Sequence, residues 1–317
     1  MRRLAGLAGT ALAFALLTSL PAFAADRMSL LLDWYVNPDH GPIIVAKELG
    51  YFDEAGLDVE IVAPADPSAP PKLVAAGKAD LAISYQPQIH LQIAEGLPLK
   101  RVGTLIASPL NCLMVKDDGP IRELSDLKGR KIGYSVSGVE TAQVRALLAR
   151  AGLSADEVEM VNVNWSLAPS VMSGQVDAVI GAYRNVELIQ MELEGVKGRC
   201  FFIEEQGVPP YDELIYVANP DTMDADKVRR FLDATERATQ YIMNHPDKSF
   251  EIYAGYAPEL DDELNKRSFA ETIRRFALRP AALDEGRYAR FETFLKENDL
   301  IETERPVSDI AIDITAR

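Results

Sequence analysis

The chain has 317 residues and a formal net charge of −15, from 48 Asp and Glu against 33 Lys and Arg, and 48% of it is hydrophobic. So acidic a chain is a poor partner for nucleic acid or for anionic membrane surfaces, and no Lys/Arg-rich run rescues either idea. The apolar content predicts a folded protein, and the length exceeds one typical core, so two compact units are expected.

The first residues set the compartment. Arg2 and Arg3, an uncharged apolar run from Leu4 to Leu20 and the small-x-small step Ala22-Phe23-Ala24 have the layout of a secretory signal peptide cut after Ala24. The run falls short of the roughly 20 apolar residues that span a bilayer. No Cys stands at the cleavage site to take a lipid. A periplasmic protein that is not membrane-embedded is expected.

Leu32-Asp33-Trp34-Tyr35-Val36-Asn37-Pro38-Asp39-His40-Gly41 then closes a first strand and leads into a helix running towards Tyr51-Phe52. Ligands of open α/β sheets bind outside the carboxyl ends of strands. Trp34 and Tyr35, with Asn37 in the turn, are therefore expected at a cleft, where an aromatic face can stack a heterocycle. Core packing is the competing role for either ring.

The chain repeats itself once. A helix ending near Ala55-Gly56-Leu57, a strand, a second helix ending at Gly77, an Asp80 and a strand running to Tyr85 recur as Ala151-Gly152-Leu153, a strand, a helix ending at Gly174, Asp177 and a strand running to Tyr183. Strands alternating with helices in this way predict parallel β-α-β units, with the glycines as helix stops. Two α/β lobes follow: residues 25–115 plus 211–317, and residues 116–210. Two crossings between lobes make a hinge that can close on a ligand. The chain is expected to rejoin the first lobe with the strand Leu214–Ala218. A helix with Val228, Phe231, Leu232, Thr235 and Ala238 on one face comes next, and the remaining helices are expected to pack around the first lobe.

Cys112 and Cys200 lie in strand-like apolar surroundings. They read as two buried free thiols, with a single disulfide as the alternative that the compartment permits. His40, His90 and His245 have no metal-ligand spacing, and no cofactor is expected.

Three further segments could carry binding. Tyr183-Arg184-Asn185-Val186-Glu187 follows an apolar strand, which puts Tyr183 at a carboxyl end and Glu187 one turn into a helix. On the residues alone, Glu187 is a solvated helix-start charge. Ser135, Ser137 and Gly138 precede another helix, where free N–H groups can meet an acceptor or anion, although Ser137 with Glu140 also forms a capping box. Tyr85, Gln86 and His90 are ligand-binding candidates in the first lobe's counterpart of the Tyr183 loop, with Gln86 and Gln88 able to orient a ligand; a lone His such as His90 is more often a helix or rim residue than a catalyst. No nucleophile-base order or paired-carboxylate motif supports hydrolysis.

Together these residues resemble the SsuA/THI5-like (NMT1-type) family, which joins periplasmic pyrimidine-binding proteins to the thiamine pyrimidine synthases of yeast type. The resemblance is carried by Leu32-Asp33-Trp34, the Ala46-Lys47-Glu48 helix with Gly50-Tyr51-Phe52, and Gly181-Ala182-Tyr183 with Glu187. It implies a two-lobe type II periplasmic-binding-protein fold. The ligand would be a thiamine-precursor pyrimidine stacked on aromatics with Glu187 at its edge, delivered to an ABC permease and its ATPase. Binding proteins of this build are usually monomers. The synthases of the family build the pyrimidine from pyridoxal phosphate and a histidine, and His90 falls near that position. Their cysteine-rich run is replaced here by Pro209-Pro210-Tyr211-Asp212-Glu213-Leu214. Pro42 and Arg184 depart from the transport pattern, and Arg184 beside the ring would favour an acidic or phosphorylated ligand. Sulfonate, taurine and riboflavin-like ligands stay open on this reading.

Overall fold

The structure, a computed structural model, is described for residues 25–315, so the expected signal peptide lies outside the described residues. The strands are β1 (Asp26–Leu31), β2 (Leu57–Val62), β3 (Leu81–Ser84), β4 (Lys100–Ile106), β5 (Asn111–Lys116), β6 (Lys131–Tyr134), β7 (Glu159–Asn162), β8 (Ala178–Tyr183), β9 (Gly198–Phe202) and β10 (Leu214–Ala218). They form two sheets of the same plan, β2-β1-β3-β10-β4 and β7-β6-β8-β5-β9. The repeat read in the sequence is thus a repeat of topology. In each sheet three strands are parallel, while β10 and β5 run antiparallel to their neighbours.

The antiparallel strand of each sheet arrives from the other lobe. β4 leads straight into β5 across residues 107–110, and the chain returns to β10 after the 3-10 turn Ile203–Gln206. This corrects one boundary. The strand expected to close the first lobe, with the second beginning after Val115, is hydrogen-bonded to β8 and β9 inside the second sheet. An apolar run on its own does not say which sheet will pair with it.

Packing follows the period of each element. β1 alternates, with Met28 and Leu30 buried, whereas β3 is buried along its whole length between helices. The helix Ala225–Asn244 lays Val228, Phe231, Leu232, Thr235 and Ala238 inward, and Asp224 caps it by accepting from the amides of Asp226 and Lys227. Among the described residues no helix is long and apolar enough to cross a membrane.

Two other expectations change. Cys112 and Cys200 are joined in a disulfide between β5 and its neighbour β9, their Cα atoms 5.5 Å apart, so the chain holds no free thiols. The separation in sequence concealed that the two strands pair. Nor do the C-terminal helices serve the first lobe alone. In the helix Glu285–Glu297, Phe291 and Leu295 pack into the same apolar cluster as Ile132, Leu147 and Ile180 of the second lobe. Arg267 reaches Glu192 on the second lobe at 2.8 Å.

Candidate ligand-binding cleft

Four strand ends converge between the lobes. The segment after β1 contributes Asp33, Trp34, Tyr35, Asn37 and Asp39, and Tyr85 follows β3; the segment after β6 contributes Val136, Val139 and Glu140, and the end of β8 contributes Tyr183 and Glu187. They surround about 620 Å³ of atom-free space, its open mouth included.

The first strand end is held by its own polar residues. Asn37 caps the short turn Pro38–His40, accepting from the Asp39 amide at 2.9 Å. Its own amide donates to His40 Nδ1 at 3.3 Å, which fixes Nε2–H as the donor to Asp33 Oδ1 at 2.9 Å. The Tyr85 hydroxyl donates to the other Asp33 oxygen at 2.9 Å. Each Asp33 oxygen thus accepts one hydrogen bond, orienting His40 and Tyr85. Trp34 faces Trp165 of the second lobe, and Tyr35 lies half exposed beside both rings. These aromatics make an apolar wall at the mouth.

On the second lobe, Glu187 begins the helix Glu187–Leu193, and its Oε2 accepts the Tyr183 amide at 2.6 Å. It is buried at the cleft, not solvated. Burial lifts its carboxyl to about 7, and the Tyr183 amide offsets only part of that. Glu140 reaches back to accept the Ser135 and Val136 amides at 2.6 and 3.0 Å. Its carboxyl is pushed up to about 8 by burial, against those two hydrogen bonds. Gly181 makes room for it: φ is +92°, and a Cβ there would collide with the Glu140 carboxyl.

Glu213 closes the floor at the hinge. Its Oε2 accepts the Leu110 and Asn111 amides of one crossing and the Tyr211 hydroxyl of the other, at 2.6, 2.9 and 3.1 Å. Burial raises it to about 7 in spite of these donors. Asp39 is raised to about 6 by burial, partly offset by the Asn185 amide. Five acidic side chains thus face the space, Asp33, Asp39, Glu140, Glu187 and Glu213, with no Lys or Arg among the lining residues. Such a cleft suits a ligand rich in hydrogen-bond donors or carrying positive charge, and opposes an anion.

Of the residues expected from sequence, Trp34, Tyr35, Asn37, Tyr85, Tyr183 and Glu187 come together here. Five do not line it. Gln86 is buried at the hinge, where it accepts from the Asp212 amide at 2.8 Å. His90, expected to bind ligand, is instead buried between Tyr288 and Phe291, with Nδ1 hydrogen-bonded to Glu292. Ser135 is buried with its hydroxyl on the Asn164 carbonyl, and Ser137 is exposed, its amide donating to Ser68 Oγ at 3.2 Å. Gly138 is the N-cap of the helix Val139–Arg150, so the expected Ser137 capping box does not form. Of the amides that would have met an anion, that of Ser135 is taken by Glu140, which also takes that of Val136, and that of Ser137 by Ser68.

Arg184 also turns away. It pairs with Glu204, donates to the Leu110 and Asn111 carbonyls and lies over Phe202, leaving no cation beside the ring. Sequence reasoning missed Trp165, Glu140, Asp39 and Glu213. Glu140 left the signal of a capping-box partner, and Glu213 that of a carboxylate set directly before the apolar strand Leu214–Ala218.

Most of the chain is similar to known proteins. The profile of the NMT1/THI5-like family matches residues 37–249. A Haemophilus influenzae protein named for thiamine biosynthesis is 49% identical over 300 residues, covering 94% of this chain and 96% of that one. A formylaminopyrimidine-binding protein of Halalkalibacterium halodurans is 33% identical over 231 residues, 72% of this chain and 70% of that one. Among solved structures, a Candida albicans protein described as having the generic periplasmic binding protein fold superposes with a TM-score of 0.71 at 18% identity, covering 90% of this chain and 96% of that one.

Proposed function

Because the chain belongs to the NMT1/THI5-like family, we propose that it is the periplasmic solute-binding component of an ABC importer and holds a thiamine-precursor pyrimidine of the formylaminopyrimidine or hydroxymethylpyrimidine type between its lobes. The observation that carries the reading is the buried Glu187 at the edge of an aromatic-walled cleft lined by carboxyls and no cation. An aminopyrimidine offers a flat face to the rings and an exocyclic amine to the carboxylate. The 33% identity to a protein named for binding formylaminopyrimidine supports the same ligand class.

The competing chemistries lose their anchors. A sulfonate or a phosphorylated ligand needs positive charge or free amides, and Arg184 and the Ser135–Val136 amides are already engaged. Synthesis of the pyrimidine through His90 would need that imidazole at the cleft, and it is buried against Glu292. A thermal-shift panel on refolded, ligand-stripped protein tests the proposal. Stabilisation by formylaminopyrimidine or hydroxymethylpyrimidine supports it; stabilisation by taurine, riboflavin or pyridoxal phosphate alone overturns it.

A further inference from the structure

We infer that Asp39 is a second ligand-binding carboxyl, and that one amino group of the ligand bridges it to Glu187, giving one hydrogen to each lobe. This rests on the pyrimidine reading and narrows it to heterocycles that carry a primary amine on the ring.

Asp39 is fully buried, yet it lines the cleft. Its Oδ1 is held by Asn185 Nδ2 at 2.7 Å and faces Thr272 Oγ1 at 3.2 Å. Its Oδ2 has no hydrogen-bond partner in the protein. A buried acceptor left unmatched costs its full desolvation, so native structures rarely keep one without a use. No basic side chain lines the space to meet it. A donor brought by the ligand removes that cost.

Position supplies the rest. Asn185, which binds Asp39 from the other lobe, stands in the turn that leads into Glu187. A first-lobe carboxyl is thereby tied to the turn that precedes a second-lobe carboxyl, and both line the space that Tyr183 and Tyr35 also line. Two acceptors on opposite lobes match the two hydrogens of a primary amine. A ring hydroxyl has one hydrogen and a keto oxygen none, so neither can serve both carboxyls. The amine would then fasten the lobes as well as identify the ligand.

The test is calorimetry on the full mature chain, ligand-stripped by unfolding and refolding. The probes are formylaminopyrimidine, its 4-oxo counterpart and its 4-methylamino counterpart, with wild type and Asp39→Asn. The variant keeps the size of the side chain and should weaken the amine probe by at least about tenfold while leaving the 4-oxo probe unchanged or improved. Equal amine binding by wild type and D39N overturns the inference, and so does equal weakening of both probes, the mark of a purely structural Asp39. Wild-type protein supplies a second measurement should the variant misfold: 4-methylamino binding as tight as the amine overturns the bridge, and a loss of about tenfold supports it. Wild type that binds no pyrimidine overturns the proposed function and this inference with it, whereas wild-type binding with an indifferent D39N overturns the inference alone.

Discussion

Trp34 of the first lobe meets Trp165 of the second edge to face, their ring centroids 4.3 Å apart. These are the chain's two tryptophans, and Trp34 packs against the second lobe's apolar cluster around Val163 and Leu167. The contact spans the cleft mouth, so opening the hinge must break it. Ligand addition is expected to change intrinsic fluorescence, and Trp165→Phe should remove most of the change. Trp34→Ala should weaken binding by about tenfold, the scale of a lost stacking face plus its burial, with the melting transition retained. Titration with each variant checks this, and unchanged affinity in Trp34→Ala would remove the aromatic wall from the account.

Glu187→Gln keeps an oxygen for the Tyr183 amide but removes the charge facing the cleft. Affinity for an aminopyrimidine is expected to fall about 10- to 100-fold, as when a hydrogen bond to a charged acceptor is lost, with a Tm close to wild type. Calorimetry and a melting curve on the same sample separate the two effects.

Stability should depend on pH in an unusual direction. Burial raises Asp39 to about 6, Glu187 and Glu213 to about 7 and Glu140 to about 8. Unfolded carboxyls titrate near ~4, so between there and the raised values the native state holds more protons than the unfolded one. This contribution is fully present below the unfolded pKa and is lost as pH rises through the folded values. Ligand-free protein is therefore expected to melt lower at about pH 8.5 than at about pH 5.5, and Glu140→Gln should flatten the slope. Acids whose pKa is lowered, such as Asp80, act below this window. A higher Tm at the alkaline end would contradict the burial of these carboxyls.

His90→Gln separates a structural histidine from a reacting one. Replacing the imidazole on Glu292 Oε2, whose other oxygen is held by Arg305, should lower the Tm by several degrees, for a loss of about 1–3 kcal/mol. Ligand affinity should stay within about twofold, because His90 lies outside the cleft. Lost affinity with an unchanged Tm would return His90 to the site.

What could be read from the chain was local. The repeated strands, the aromatic pair at the first strand end and the Tyr183-to-Glu187 turn each follow from residues close in sequence, and the structure places them as their spacing indicates. The rest depends on partners far along the chain. Arg184 looks like a cleft cation until Glu204 and the Leu110 carbonyl claim it. The Ser135 and Val136 amides look free until Glu140 folds back onto them. His90 is drawn inward by Glu292, and Cys112 meets Cys200 only because β5 joins the second sheet. Asp39 was visible as a residue, but its orphaned oxygen shows only once Asn185 and Thr272, far along the chain, take the other one.

The most direct measurement of the central claim is a calorimetric titration of the stripped mature protein with formylaminopyrimidine, followed by the same titration with Glu187→Gln. The account expects saturable binding by wild type and a loss of about 10- to 100-fold in the variant. No heat of binding from wild type, or equal affinity in the two proteins, would contradict it.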